Sequence, residues 1–117
     1  MLFRSAKRGV PDAHLLLGIL YKEAGDFDAA EREYREAERI NPNNGQLMLE
    51  RGKLLLAQGD PKAALDRLLK AEQAMPAASA VHYQLGLAYG RLGQKGRAEE
   101  HLSLSRKLDR ERAEPAK

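Results

Sequence analysis

Residues 15–34 read Leu15-Leu16-Leu17-Gly18-Ile19-Leu20-Tyr21-Lys22-Glu23-Ala24-Gly25-Asp26-Phe27-Asp28-Ala29-Ala30-Glu31-Arg32-Glu33-Tyr34, and the chain returns to this pattern twice. Gly18, Gly52 and Gly86 are 34 residues apart, and so are Gly25, Gly59 and Gly93. Ala30, Ala64 and Ala98 keep the same interval, as do Tyr34, Leu68 and Leu102, and Pro42 with Pro76. A period of this size marks a supersecondary unit that buries its apolar face only by stacking on its neighbours.

Each period divides at its inner glycine into two helical stretches. The first kind is expected over residues 12–24, 46–58 and 80–92, the second over 27–40, 61–75 and 95–112. Gly25, Gly59 and Gly93 fall where a helix ends in the left-handed conformation that glycine adopts without strain. Asp26 and Asp60 follow, with side-chain oxygens able to cap the next helix, and Pro61 takes a first helical position, where its missing N–H costs nothing. Gln94 is a weaker cap.

The two kinds differ in composition. Phe27, Ala30, Tyr34, Ala37 and Ile40 form one side of an amphipathic helix whose other side carries Glu31, Arg32, Arg35, Glu36 and Arg39. The stretch around Leu15 to Tyr21 is apolar over more of its circumference, as a helix with several neighbours should be. The first helices are therefore expected to form an inner layer and the second an outer, solvated one.

These residues resemble the tetratricopeptide repeat family. The match runs through Leu17, Gly18, Tyr21, Ala30, Tyr34, Ala37 and Pro42, then Gly52, Leu55, Ala64, Leu68, Ala71 and Pro76, then Leu85, Gly86, Tyr89, Ala98 and Leu102. The expected fold is an all-α solenoid, a right-handed superhelix of three helix-turn-helix repeats and a partial leading helix. Residues 11–44, 45–78 and 79–112 are the repeats, the last degenerate at its end, and 113–117 a disordered tail. Phe3, Ala6 and Pro11 repeat the spacing of Tyr34, Ala37 and Pro42, so residues 1–10 read as the end of a preceding outer helix. Seven residues separate Pro11 from Gly18 where ten separate Pro42 from Gly52. The aromatic expected early in each unit is replaced by His14, Met48 and His82. Arg51 stands at a usually apolar position, with its stem expected along the surface and its charge in water.

The resemblance implies an interaction scaffold that holds a peptide or helical segment in a concave groove lined by the first helices. The matching stripes are Leu15, Ile19 and Lys22; Leu49, Lys53 and Leu56; Tyr83, Leu87 and Arg91. Leucines flanked by three cations suit a protein or peptide ligand carrying apolar and acidic residues. Relatives that grip a C-terminal carboxylate use lysines, asparagines and an arginine where this chain has Leu15, Ile19, Glu50, Ala80 and Gln84, so that subclass is excluded. Exposed terminal apolar faces such as Leu102 and Leu108 suggest weak homo-oligomerisation. The alternative is a tethering module within a larger protein, an enzyme or an envelope-assembly factor.

Other classes find little support. The formal charge is only +3, and basic residues are scattered among acids, seven acidic to four basic over residues 22–39 and eight basic to five acidic over 91–117. Two phenylalanines and four tyrosines make no stacking ladder, so no nucleic-acid partner is expected and RNA binding is a distant alternative. No apolar run reaches the roughly 20 residues that span a bilayer, and the basic N-terminus lacks the apolar segment of a secretory signal, so no membrane partner is expected and the cytoplasm is favoured. The chain has no cysteine, which removes thiolate chemistry. No enclosed carboxylate pair, nucleophile motif or phosphate loop is legible, so no enzyme and no cofactor are expected. His14 and His82 occupy one repeat position two units apart, about 16 Å or more by helix spacing, and His101 belongs to an outer helix. No metal site is expected from them.

Overall fold

The computed structural model describes the backbone of residues 2–114 and the side chains of residues 13–114. Six helices follow one another: α1 (Leu2–Glu23), α2 (Phe27–Ile40), α3 (Gly45–Ala57), α4 (Pro61–Ala74), α5 (Ser79–Arg91) and α6 (Lys95–Ala113). They pack as α1 with α2, α3 with α4 and α5 with α6, and the pairs stack in chain order. The result is an all-α solenoid.

The turns inside the pairs have one chemistry. Gly25, Gly59 and Gly93 have φ of 84°, 82° and 80°. In the first turn the Gly25 N–H donates to the Lys22 carbonyl at 3.0 Å and the Asp26 N–H to the Tyr21 carbonyl at 2.9 Å. That double closure satisfies carbonyls which the helix end would otherwise leave free. It recurs at Gly59 with Asp60 and at Gly93 with Gln94. Asp26 Oδ1 then accepts from the Ala29 N–H and Asp60 Oδ1 from the Ala63 N–H, each at 3.1 Å. Gln94 makes no side-chain cap, so α6 starts without that stabilisation. Asn44, unremarked in the sequence, caps α3 by accepting from the Gln46 and Leu47 amides.

Within each pair the helices meet at the inner glycine. A Cβ on Gly52 would fall 2.5 Å from Leu68 Cδ2, and one on Gly86 2.6 Å from Leu102 Cδ2. On Gly18 it would run into the Tyr34 ring. Ala30, Tyr34, Ala64 and Leu68 are fully buried behind these crossings. Between pairs, α2 packs on α3 and α4 on α5, while α1 touches α3 and α3 touches α5. Among the described residues, α2 and α4, and α4 and α6, make no such approach. The inner layer is therefore the more closely spaced of the two, as expected of the inside of a curved array.

Three expectations need correction. The leading helix does not end before Pro11: α1 runs unbroken through it. Pro42 and Pro76 are followed by residues that turn the chain before the next helix, and the interval after Pro11 is three residues shorter, so the turn has no residues to form from. Proline removes one helical hydrogen bond but keeps a helical φ. Second, Arg51 does not hold its charge in water. Its side chain is 11% exposed and its Nη1 donates to Glu38, which also accepts from Arg67 Nη1 at 3.2 and 3.3 Å. Third, α6 extends to Ala113, the first residue of the expected tail. The side chains of Phe3 and Ala6, and residues 115–117, lie outside the described residues.

Candidate interaction face

The nine residues of the three stripes come from α1, α3 and α5, the helices of the closely spaced layer. They separate into two groups. Leu15, Leu49 and Leu56 are buried and belong to the core, and Ile19 and Leu87 are half-buried against it. The others reach solvent: Lys22 and Lys53 are half-buried, Arg91 is exposed and Tyr83 is 48% exposed. Helical spacing reports which residues share a stripe, not how many neighbours cover it, so the expected leucine lining fails at Leu15, Leu49 and Leu56. For α3, flanked by α1, α4 and α5 as well as α2, the neighbours close over Leu49 and Leu56.

The polar residues of the face are oriented by the scaffold. Arg91 Nη1 donates to the Leu56 carbonyl at 2.6 Å, which ties the end of α5 to the end of α3. Lys53 Nζ lies 3.5 Å from Glu50 Oε1. Glu50 is itself buried and accepts from Gln46 Nε2 at 3.1 Å. Burial, with Glu50 and Glu23 nearby, pushes the Tyr34 hydroxyl well above the usual tyrosine range, so it stays protonated. Glu50 thus belongs to the packing between helices.

Two features were not read from the sequence. Leu16, Leu17, Leu20 and Tyr21 form an exposed apolar face on α1, with Leu16 57% and Leu20 56% exposed. One repeat later the same positions hold Glu50, Arg51, Leu54 and Leu55, of which Arg51 reaches Glu38 on α2; two repeats later they hold Gln84, Leu85, Ala88 and Tyr89. Leu54, Leu85 and Ala88 are at most 1% exposed there. The α1 face is thus the stacking face of a repeat, uncovered by any described residue. The second feature is that His82 and His101, considered separately in the sequence, lie side by side: their Nδ1 atoms are 3.0 Å apart. The usable signal was the offset of 19 residues, which also pairs His14 with Glu33 at 2.7 Å and Met48 with Arg67.

Two clefts, of about 410 Å³ beside Pro42, Met48 and Ala74 and about 340 Å³ beside Arg32, Arg35 and Gln58, both lie away from the stripes.

The tetratricopeptide repeat model matches residues 3–45, 15–66 and 49–113, nearly the whole chain. The chain belongs to the tetratricopeptide repeat family. It is 30% identical over 101 residues to the type IV pilus assembly protein PilF of Pseudomonas aeruginosa, a match covering 85% of this chain and 40% of that protein. A solved structure of Pseudomonas aeruginosa PilF superposes with a TM-score of 0.80 at 28% identity, over 88% of this chain and 47% of the other. MamA of Desulfovibrio magneticus gives 0.78 at 28% identity, over 90% and 59%. The tetratricopeptide domain of Sgt2 from Aspergillus fumigatus gives 0.79 at 21% identity, over 85% and 66%, a likeness of fold alone. The chain thus spans less than half the length of the PilF it matches. Tetratricopeptide arrays are protein-interaction scaffolds, and this chain carries such a module. Among the described residues no helix is long and apolar enough to cross a membrane.

Proposed function

We propose that the chain binds an extended or helical protein segment, bearing apolar and acidic residues, along the face of α1, α3 and α5. The observation that carries this reading is Tyr83, a large ring 48% exposed on α5 beside half-buried Leu87. An aromatic with a polar tip, held on a rigid helix, loses little entropy on binding and is a favoured anchor. Lys22, Lys53 and Arg91 supply positive charge along the same face, which favours an acidic ligand and speeds encounter. Because Leu15, Leu49 and Leu56 are buried, the centre of the site is Lys53, Tyr83, Leu87 and Arg91, with Ile19 and Lys22 at one end. A face of three repeats should bind at about 10 μM, or about −7 kcal/mol.

A second reading has its own support. The exposed stacking face of α1 favours the chain as one part of a longer array or assembly, with another helix pair seated on Leu16, Leu17, Leu20 and Tyr21. The name of its relative PilF, a pilus assembly protein, is in keeping with a tethering role in assembling other chains.

Affinity capture from native lysate separates these readings. The double change Lys53→Gln and Tyr83→Ala, in which the new amide can still donate to buried Glu50, should abolish recovery of the specific partner while leaving helicity and melting intact. Charge reversal at Arg32 and Arg35 should do much less. Loss of the partner by the outer-face variant, and its retention by the groove variant, would move the site to the convex side.

A further inference from the structure

Side chains from α4, α5 and α6 bring together three donor groups that the interaction face does not use. Glu72 lies on α4, His82 on α5 and His101 on α6, and one donor atom from each falls within 4.8 Å of the others. His82 is 2% exposed. Its Nε2 lies 2.7 Å from the carbonyl oxygen of Pro76, which only accepts, so Nε2 carries the proton and Nδ1 of the neutral ring presents a lone pair. That lone pair looks toward His101 Nδ1 at 3.0 Å, with Glu72 Oε2 at 3.9 Å. A backbone carbonyl fixing one imidazole nitrogen while the other faces its neighbours is the support found behind histidines that ligate metal ions.

The equivalent junction one repeat earlier shows what is unusual here. There the same positions hold Glu38, Met48 and Arg67. Arg67 Nη1 lies 3.2 Å from Glu38 Oε2 and 3.9 Å from Met48 Sδ, so a permanent guanidinium sits on the carboxylate. At the later junction Arg67 is replaced by His101 and Met48 by His82 while the carboxylate stays. Among the described residues the salt bridge of Glu72 goes to His82 alone. The first junction carries its own cation; the second has a carboxylate and two nitrogen donors in its place.

We propose that Glu72, His82 and His101 bind one divalent transition-metal ion, with zinc the best fit. Zinc favours four-coordinate sites of imidazole and carboxylate with bonds of about 2.0–2.2 Å, which sets neighbouring donors about 3.3–3.5 Å apart. The observed separations of 3.0 and 3.9 Å lie on either side of that spacing. Closing the site takes a movement of the half-buried Glu72 side chain toward His101 and a turn of the His101 ring, which lies nearly parallel to that of His82 in the metal-free chain. Two imidazoles and one carboxylate leave the fourth position to water. In the metal-free chain His101 Nδ1 donates to His82; on binding, that nitrogen gives its lone pair to the ion and the ring carries its proton on Nε2 instead. Joining three helices across two repeats, the ion would brace the last pair against its neighbour.

The test is calorimetric titration of zinc chloride into the tag-free full chain, with melting measured alongside. The expected result is one ion per chain at about pH 7.5, a raised melting temperature, and weaker binding on acidification, because protons compete with the ion for the donor atoms. His101→Ala and Glu72→Gln, both at half-buried positions, should each weaken binding by about tenfold or more. His14→Ala, at the other paired histidine, should leave it unchanged. Cobalt bound in place of zinc should give the intense visible bands of four-coordination, absent in His101→Ala. Absence of saturable one-to-one binding at about 100 μM zinc, or affinity equal to wild type in His101→Ala, would overturn the proposal.

Discussion

Gly52 and Leu68 fill one space between them: the Cβ that Gly52 lacks would sit 2.5 Å from Leu68 Cδ2 and 2.6 Å from its Cγ. Leu68 is fully buried and has nowhere to withdraw. Gly52→Val should therefore lower stability by about 1–3 kcal/mol, since overpacking outweighs the better helix propensity. Ala64→Leu, at a fully buried position on the facing helix, should behave alike. Thermal melting checks both, and an unchanged midpoint in the two variants would refute the pairing of α3 with α4.

Glu38 joins three helices through Arg51 and Arg67. Burial, and the nearby Arg67, lower the Arg51 pKa, while Glu38 opposes them. Removing the carboxylate leaves a buried guanidinium facing another cation. Glu38→Ala should cost about 1–3 kcal/mol, less than for a fully dry pair because Glu38 is partly solvated. Adding Arg51→Met should restore most of that loss, which chemical denaturation of the single and double variants would read.

Much of the fold could be read along the chain because its determinants are local. A positive φ at Gly25, Gly59 and Gly93 follows from glycine before a capping residue, and the 34-residue interval places every helix within two residues, except the start of α1. What escaped depends on partners across helices. Arg51 stands at an apolar repeat position, and only the fold sets Glu38 opposite it; His82 shares a repeat position with His14, but its neighbour in space is His101 on the facing helix. The candidate face was half legible. Tyr83, Lys53 and Arg91 reach solvent, whereas Leu49 and Leu56 share their stripe but are covered by neighbouring helices.

The exposed face of Leu16, Leu17, Leu20 and Tyr21 should promote self-association at high concentration. Leu16→Gln with Leu20→Gln should reduce it without lowering stability, because neither residue is buried. Sedimentation of the wild-type chain gives the answer, and a strict monomer to millimolar concentration would contradict the expectation.

His101 ties the last repeat to a pH response. Burial lowers its pKa from the ordinary 6.5. The unfolded chain then binds the proton more readily, so this contribution to stability is present above about pH 6.5 and is lost as pH falls through the lowered value. Melting of the metal-free chain should fall on acidification through this range, with a shallower fall in His101→Gln. An equal slope in the two proteins would remove His101 as the cause.

The claim that a protein segment binds along α1, α3 and α5 is tested most directly by NMR shift mapping with a peptide selected on this chain from a random library. The account predicts the largest changes at Lys53, Tyr83, Leu87 and Arg91. It also predicts an acidic and apolar peptide, and at least tenfold weaker binding after Lys53→Gln with Tyr83→Ala at unchanged melting temperature. Changes centred on the exposed faces of α2, α4 or α6, with wild-type affinity in that double variant, would contradict it.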